Sequence, residues 1–375
     1  MRILLIGHAY VVAENQKKLH AIASLPGVEL AAVVPRAWRE PVLKAIPAHC
    51  PAHAPFAYQP RRAVLANTRT EQFHFYLSAD LGLRHFKPDV LCVEQGAGAF
   101  AYMQSLIYRN LYAPKAKAVF FTWWNLPYRT RWPLSAVERF NLSQSQGAIA
   151  GNSDAAAILR EHGFVGPLTI LPQLGIDPIE YQRKDVGDLR RDLGLERFAV
   201  GYTGRFVEEK GIRILLEALA GADFDFQLLM VGRGPLEAEI RAFARKQGWG
   251  DRLKIVTGIG HSEIARYQSC MDVMVVHSLT RPFWKEQFGH VIIEAMACEV
   301  PVIGSDSAEV PNVIGDAGLV TPEGDVAALG AALTRVATSP ELRRQLGQAG
   351  RQRVLDHYTN ERLAQQLFEF FCKLL

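Results

Sequence analysis

A chain of 375 residues, 49% hydrophobic and 21% charged, can bury two cores and has the make-up of a soluble enzyme, not of a disordered or fibrous protein. No stretch approaches the roughly twenty apolar residues of a membrane span, so a chain that does not cross a bilayer is expected. The net charge of +4 conceals an asymmetry, since residues 1–175 hold 18 Lys and Arg against 10 Asp and Glu and the remainder holds 24 against 28. A basic first half predicts an acidic partner, either a phosphorylated acceptor or an anionic membrane face; no nucleic-acid module is recognisable, so nucleic acid is not expected.

The opening MRILLIGHAY has one basic residue and an apolar run too short for a signal-peptide core. It reads as a buried strand over 3–6 in a cytoplasmic protein. A loop over 7–14, a helix over 15–24 stopped by Pro26-Gly27 and a strand over 28–34 follow. Prolines recur from Pro35 to Pro60 without periodicity, which predicts irregular surface structure, and a helix is predicted over about 71–86. Strands at 89–93 and 118–121 flank a helix around 100–112 and end in Glu94-Gln95-Gly96 and Thr122-Trp123-Trp124-Asn125. Segments 136–144, 148–150, 155–161 and 168–171 continue the strand and helix alternation up to a linker over 172–178.

The alternation then restarts, with strands at 199–203, 226–231 and 253–256 and helices at 211–220, 235–246 and 262–268. Next comes DVMVVHSLTRPFWKEQFGHVIIEAMACEVPVIGSD, a strand, a polar loop, a short apolar helix and another strand. After Val320 only helical patterns remain, ending in an apolar stripe of Leu363, Leu367, Phe370 and Phe371. The division expected is a first doubly wound domain over 1–175, a second over 176–357 and a final helix over 358–375 returning to the first. Five cysteines without a CxxC pair, three of them (Cys92, Cys270, Cys298) in apolar runs, predict buried thiols in those runs.

Chemistry concentrates at strand ends in the second half. Gly204-Arg205 and Lys210-Gly211 put two cations between a strand's carboxyl end and the next helix start, where they oppose the helix dipole unless an anion lies between them. The alternative is a surface ion-pair cluster with Glu208 and Glu209. Glu286 sits in the later polar loop, followed by Phe288, Gly289 and His290 at a helix start whose amides suit a diphosphate. Glu294 lies inside that apolar helix and needs a partner, such as a ribose. His277 and Ser278 end the preceding strand. Asp223-Phe224-Asp225 precedes its strand, at the end where ligands do not bind, so turn and capping roles are expected in place of metal binding. Gly232-Arg233-Gly234 lacks the rest of a dinucleotide fingerprint and is read as letting backbone approach the nucleotide.

Gly204-Arg205-x4-Lys210-Gly211, followed by Glu286-x7-Glu294, resembles the retaining GT-B glycosyltransferases of family 4 (glycosyl transferases group 1), over most of residues 195–355. TWWNLPYRTRWPLSAVERF and IAGNSDAAAILREHGF resemble acceptor-domain segments of some bacterial members. The resemblance implies two Rossmann-like domains facing across a cleft and a UDP- or GDP-sugar held by the second. Arg205 and Lys210 would hold the diphosphate with backbone from Gly204, Phe288, Gly289 and His290, Glu294 the ribose, and Glu286 the donor sugar. It implies retention, no metal and no cofactor, a saccharide or lipid-linked saccharide acceptor, and cell-surface polysaccharide or glycolipid synthesis at the inner membrane face.

On the acceptor side stand His8, Glu94, Trp124, Asn125 and Arg129. His8 is equally readable as a structural histidine, and Trp123, Trp124, Tyr128 and Trp132 as packing residues. Gly7-His8-Ala9-Tyr10 replaces the family's usual glycine pair, and Trp124-Asn125 stands near where a histidine is often found. A sugar-nucleotide epimerase or phosphorylase of the same fold, or a non-catalytic nucleotide-sugar-binding protein, would share the donor motifs.

Overall fold

The computed structural model describes residues 1–38, 45–66 and 71–375, without the side chain of Glu71. The chain forms two compact units, Met1–Gly175 with Asn360–Leu375, and Ile176–Thr359.

The first unit comprises β1 (Arg2–Ile6), α1 (Gln16–Ala23), β2 (Glu29–Pro35), β3 (Ala57–Arg61), β4 (Val90–Val93), α2 (Phe100–Tyr112), β5 (Lys117–Thr122), α3 (Leu134–Gln144), β6 (Gly147–Ala150), α4 (Ser153–Glu161) and β7 (Leu168–Ile170). Its sheet runs β7-β6-β5-β4-β1-β2-β3, parallel throughout. Parallel strands covered on both faces read as continuous apolar runs. In β1 the period of two sends Ile3 and Leu5 into one core and Leu4 and Ile6 into another.

Two expectations fail here. The proline-rich stretch is not irregular throughout: Ala57–Arg61 is the sheet's edge strand, in register with Ala31–Pro35 of β2. An edge tolerates Pro60, which has no N–H to give to a ladder. Residues 39–44 of that stretch lie outside the described residues. The helix predicted over 71–86 is instead a 3-10 turn at Glu71–Phe73, a short strand at Phe75–Tyr76 paired with Ala63–Val64, and a helix at Leu83–Phe86. Local polar chemistry breaks it: Ser78 Oγ accepts from Leu81 N–H at 3.0 Å, Asp80 Oδ1 accepts from Gly82 N–H at 3.0 Å, and Leu81 and Gly82 have φ of 51° and 82°.

The second unit repeats the plan with β8 (Phe198–Thr203), α5 (Ile212–Ala220), β9 (Phe226–Val231), α6 (Glu237–Lys246), β10 (Leu253–Val256), α7 (Ile264–Ser269), β11 (Val273–Val276), α8 (His290–Ala297), β12 (Val302–Ser305), α9 (Val310–Ile314), β13 (Leu319–Thr321), α10 (Val326–Thr338) and α11 (Pro340–His357). Its parallel sheet runs β10-β9-β8-β11-β12-β13, so the order reverses between β8 and β11. Such a reversal opens a crevice beyond the strand ends, the place where this architecture takes ligands. Asp225, at the other end of β9, pairs with Arg197 and Arg252 at 3.0 and 3.1 Å, and Asp223 Oδ1 accepts from Thr334 Oγ1 at 3.3 Å, so surface ion pairs and a hydrogen bond stand where turn and capping roles were expected.

The last helix, α12 (Asn360–Cys372), belongs to the first unit: Leu363, Ala364, Leu367, Phe370 and Phe371 are buried, and its core includes Leu19 and Ile22 of α1. Cys92, Cys270 and Cys298 are buried free thiols, as expected, whereas Cys50 and Cys372 are exposed.

Candidate functional site

Two glycines set the geometry at the end of β8. Gly204 has φ of 146°, and the loop it opens lies against the loop after β9, where a Cβ on Gly232 would fall 1.9 Å from the Gly204 carbonyl oxygen. Gly232 therefore serves a backbone contact between two loops, and it does not line the cavity described next. Gly211 has φ of 67°, and a Cβ there would fall 1.8 Å from the His277 carbonyl oxygen. With Leu279 N–H donating to Glu209 O at 2.8 Å, this joins the Glu209–Gly211 turn to the end of β11.

The juxtaposition brings Lys210 onto Glu286, 76 residues away, with Nζ 2.5 Å from Oε2. Ser278 Oγ donates to the same oxygen at 2.8 Å, and Glu286 is buried. Around this pair is a cavity of about 240 Å³ lined by Thr203, Gly204, Arg205 and Lys210 from the β8 side, Val276, Ser278 and Glu286 from the β11 side, and Gly289, His290 and Val291 from the start of α8. The first amides of a helix lack intrahelical acceptors, and the dipole adds positive charge there. Arg205 is exposed, 3.7 Å from Glu209, whereas Glu208 pairs with Arg213. Two cations and a helix start thus line one cavity, and one of the carboxylates expected to neutralise the cations is engaged elsewhere.

Burial draws the His290 pKa down to about 4, so the ring is neutral and can donate a hydrogen bond without carrying charge. Phe288 packs on His290 and Tyr358 at ring distances of 5.0 and 5.6 Å and contributes no lining side chain. Glu294, one turn into α8, is held by burial above the ordinary carboxyl range, partly offset by His261 and by Gln268 Nε2, which donates at 3.2 Å. It does not line the cavity, and the Gln268 Oε1 beside it is buried without a partner. His277 is fully buried and its Nε2 accepts from Gly324 N–H at 3.1 Å, so the proton sits on Nδ1. That ring holds the loop after β13, and among the described residues its Nδ1 is buried without a hydrogen-bond partner.

In the first unit, β1 and β4 flank the corresponding reversal. His8 stacks on Trp38 at 4.3 Å and accepts from Gln95 Nε2 at 2.7 Å, with its pKa drawn down to about 3 by burial and by His74. Glu94 is buried and engaged by Tyr10, Lys18 and Gln173 at 2.7, 2.7 and 2.8 Å. It ties the end of β4 to α1 through Lys18 and to the segment after β7 through Gln173. Asn125 is buried, Arg129 exposed, and Trp124 and Trp132 are 48% and 82% exposed.

Sequence reasoning missed Trp284, whose ring lies 4.9 Å from Lys210 Nζ, and Tyr202, whose hydroxyl donates to Arg205 O at 2.6 Å. Both lie within three residues of motif positions, the one signal that pointed to them. Gln268 offered none.

Two doubly wound units of this kind define the GT-B class. The Anabaena HepE structure in complex with UDP matches with a TM-score of 0.73 at 16% identity, covering all of both chains, a likeness of fold. Residues 188–353 match the family of glycosyl transferases group 1. The N-acetyl-alpha-D-glucosaminyl L-malate synthase of Bacillus anthracis is 29% identical over 243 residues, covering 62% of this chain and 61% of the relative. The 2-deoxystreptamine glucosyltransferase of Streptomyces kanamyceticus is 29% identical over 247 residues, 61% of each. The matches thus span less than two thirds of either relative.

Proposed function

We propose that the protein is a retaining glycosyltransferase, moving a sugar from a UDP- or GDP-sugar to a hydroxyl of a saccharide or lipid-linked saccharide in polysaccharide or glycolipid synthesis. The observation that carries this reading is the shared cavity of Arg205, Lys210, Glu286 and the start of α8 at the strand-order reversal. The relatives' names and the UDP complex of Anabaena HepE support the reaction class and favour UDP.

In this reading the glycosidic bond to the diphosphate breaks as the acceptor oxygen bonds to the same carbon, on the same face. The departing phosphate oxygen takes the acceptor's proton. Charge grows on the diphosphate, so groups fixed before the reaction matter most. Lys210 spends one N–H on Glu286 and keeps two. Arg205 offers a planar fork, and the amides of Gly289 and His290 complete the anion site. Glu286 lies beside the donor sugar, and Glu294 takes the ribose hydroxyls with Gln268 behind it. Two cations stand where other folds use a divalent ion, so the reaction needs no metal or cofactor.

His8, Trp124, Asn125 and Arg129 are proposed for the acceptor side. The basic first unit suits an anionic membrane face in the cytoplasm, and no helix among the described residues is long and apolar enough to cross a membrane. The test is a panel of UDP- and GDP-sugars with hydroxyl acceptors in EDTA, read as diphosphate release and anomeric configuration by NMR. An α-linked product at undiminished rate is expected. A β-linked product would overturn retention, and loss of rate with chelator would overturn metal independence.

A further inference from the structure

Lys210 is held from two sides. Glu286 Oε2 fixes its ammonium at one point, and the half-buried Trp284 ring lies 4.9 Å away. Trp284 closes a tight turn with Arg281, whose N–H donates to Trp284 O at 2.8 Å while Trp284 N–H returns the bond at 3.2 Å. The strand end leading into this turn is tied down as well, Leu279 N–H to Glu209 O at 2.8 Å and Thr280 N–H to Glu323 Oε1 at 2.6 Å. The main chain that carries the ring is therefore fixed by hydrogen bonds that include one to the segment carrying Lys210.

A single carboxylate oxygen leaves a lysine free to swing about that oxygen on its four-carbon stem. An indole face attracts the ammonium through its quadrupole, by roughly two- to thirtyfold in population depending on desolvation. We propose that Trp284 is a positioning residue that restricts this swing and keeps the remaining Lys210 N–H bonds aimed into the cavity, at the leaving diphosphate. This rests on Lys210 being the cation that faces the leaving group. A mere packing role for Trp284 predicts something different, since an apolar residue of similar bulk would then serve as well.

The test compares Trp284→Phe with Trp284→Leu, each with and without Lys210→Met. One readout is kcat against donor KM. The other is the NMR resonance of 13C-dimethylated Lys210, assigned by its loss in Lys210→Arg, which an indole face shifts by its ring current. In Trp284→Leu we expect the shift to vanish and kcat to fall roughly tenfold with KM nearly unchanged. Trp284→Phe should keep most of both, and Trp284→Leu should cost nothing more beside Lys210→Met. Equal losses for Phe and Leu, additive losses with Lys210→Met, or an unaltered resonance in Trp284→Leu would overturn the proposal. If the wild-type protein transfers no sugar, the reading of Lys210 fails, and the NMR shift still decides whether Trp284 holds the ammonium. If the leucine variant does not fold, a fluorotryptophan series weakens the ring's quadrupole at constant shape; falling kcat supports the proposal and constant kcat overturns it.

Discussion

At Glu294 the cost of a buried carboxyl stands against the ribose role proposed for it. Burial holds its carboxyl above the usual range, and Gln268 Nε2 donates a hydrogen bond to it. A ribose would supply the donors that an ionised carboxylate there otherwise lacks, and hydrogen bonds to charged groups contribute about 1.5–3 kcal/mol. Glu294→Gln should therefore raise the melting temperature while weakening UDP binding roughly tenfold to a hundredfold by calorimetry. Unchanged affinity would remove the ribose role. The spacing Glu286-x7-Glu294 was legible in the sequence, because it falls within one continuous motif. That Lys210 meets Glu286 was not, because the contact joins residues 76 apart and depends on a turn pressed against the end of β11. Nor was the setting of Glu94 legible: its position at a strand end fits ligand contact, and only packing reveals the bonds it receives from Tyr10, Lys18 and Gln173.

At the scale of elements, the Glu208–Lys210 turn depends on Gly211. Its φ of 67° and the 1.8 Å approach to the His277 carbonyl leave no room for a Cβ. Gly211→Ala combines left-handed strain with a backbone clash and should destabilise the second unit by about 3 kcal/mol, read by urea unfolding. It should also lower activity by displacing Lys210; wild-type stability would mean that the turn does not bear on β11. Strands such as β1, β4, β9 and β11 were legible because both faces are covered, leaving uninterrupted apolar runs. The edge strand β3 was not, since AYQPR is only partly buried and carries a proline, so neither period nor composition marks it. The missing helix at 71–86 shows the reverse error, in which apolar spacing was outweighed by the Ser78 and Asp80 turn bonds.

For the whole molecule, the two units carry a shared pH sensitivity. His290 in one and His8 in the other are neutral in the fold, with pKa values drawn down to about 4 and about 3 from 6.5. The unfolded chain binds a proton below pH 6.5 that the fold does not, so stability is complete above that pH and declines as pH falls towards 4. His290→Gln should flatten this decline in the second unit's urea midpoint; an unaltered profile would contradict it. The alternation of strands and helices made two doubly wound units legible, because it is a pattern of local periods. The convergence on one cavity needed the fold, which brings together segments distant in sequence. The central claim is that this convergence stabilises a departing diphosphate. Its most direct test is turnover of Lys210→Ala at saturating donor. The account predicts a fall of roughly a hundredfold or more in kcat with a much smaller change in donor affinity, whereas wild-type turnover would contradict it.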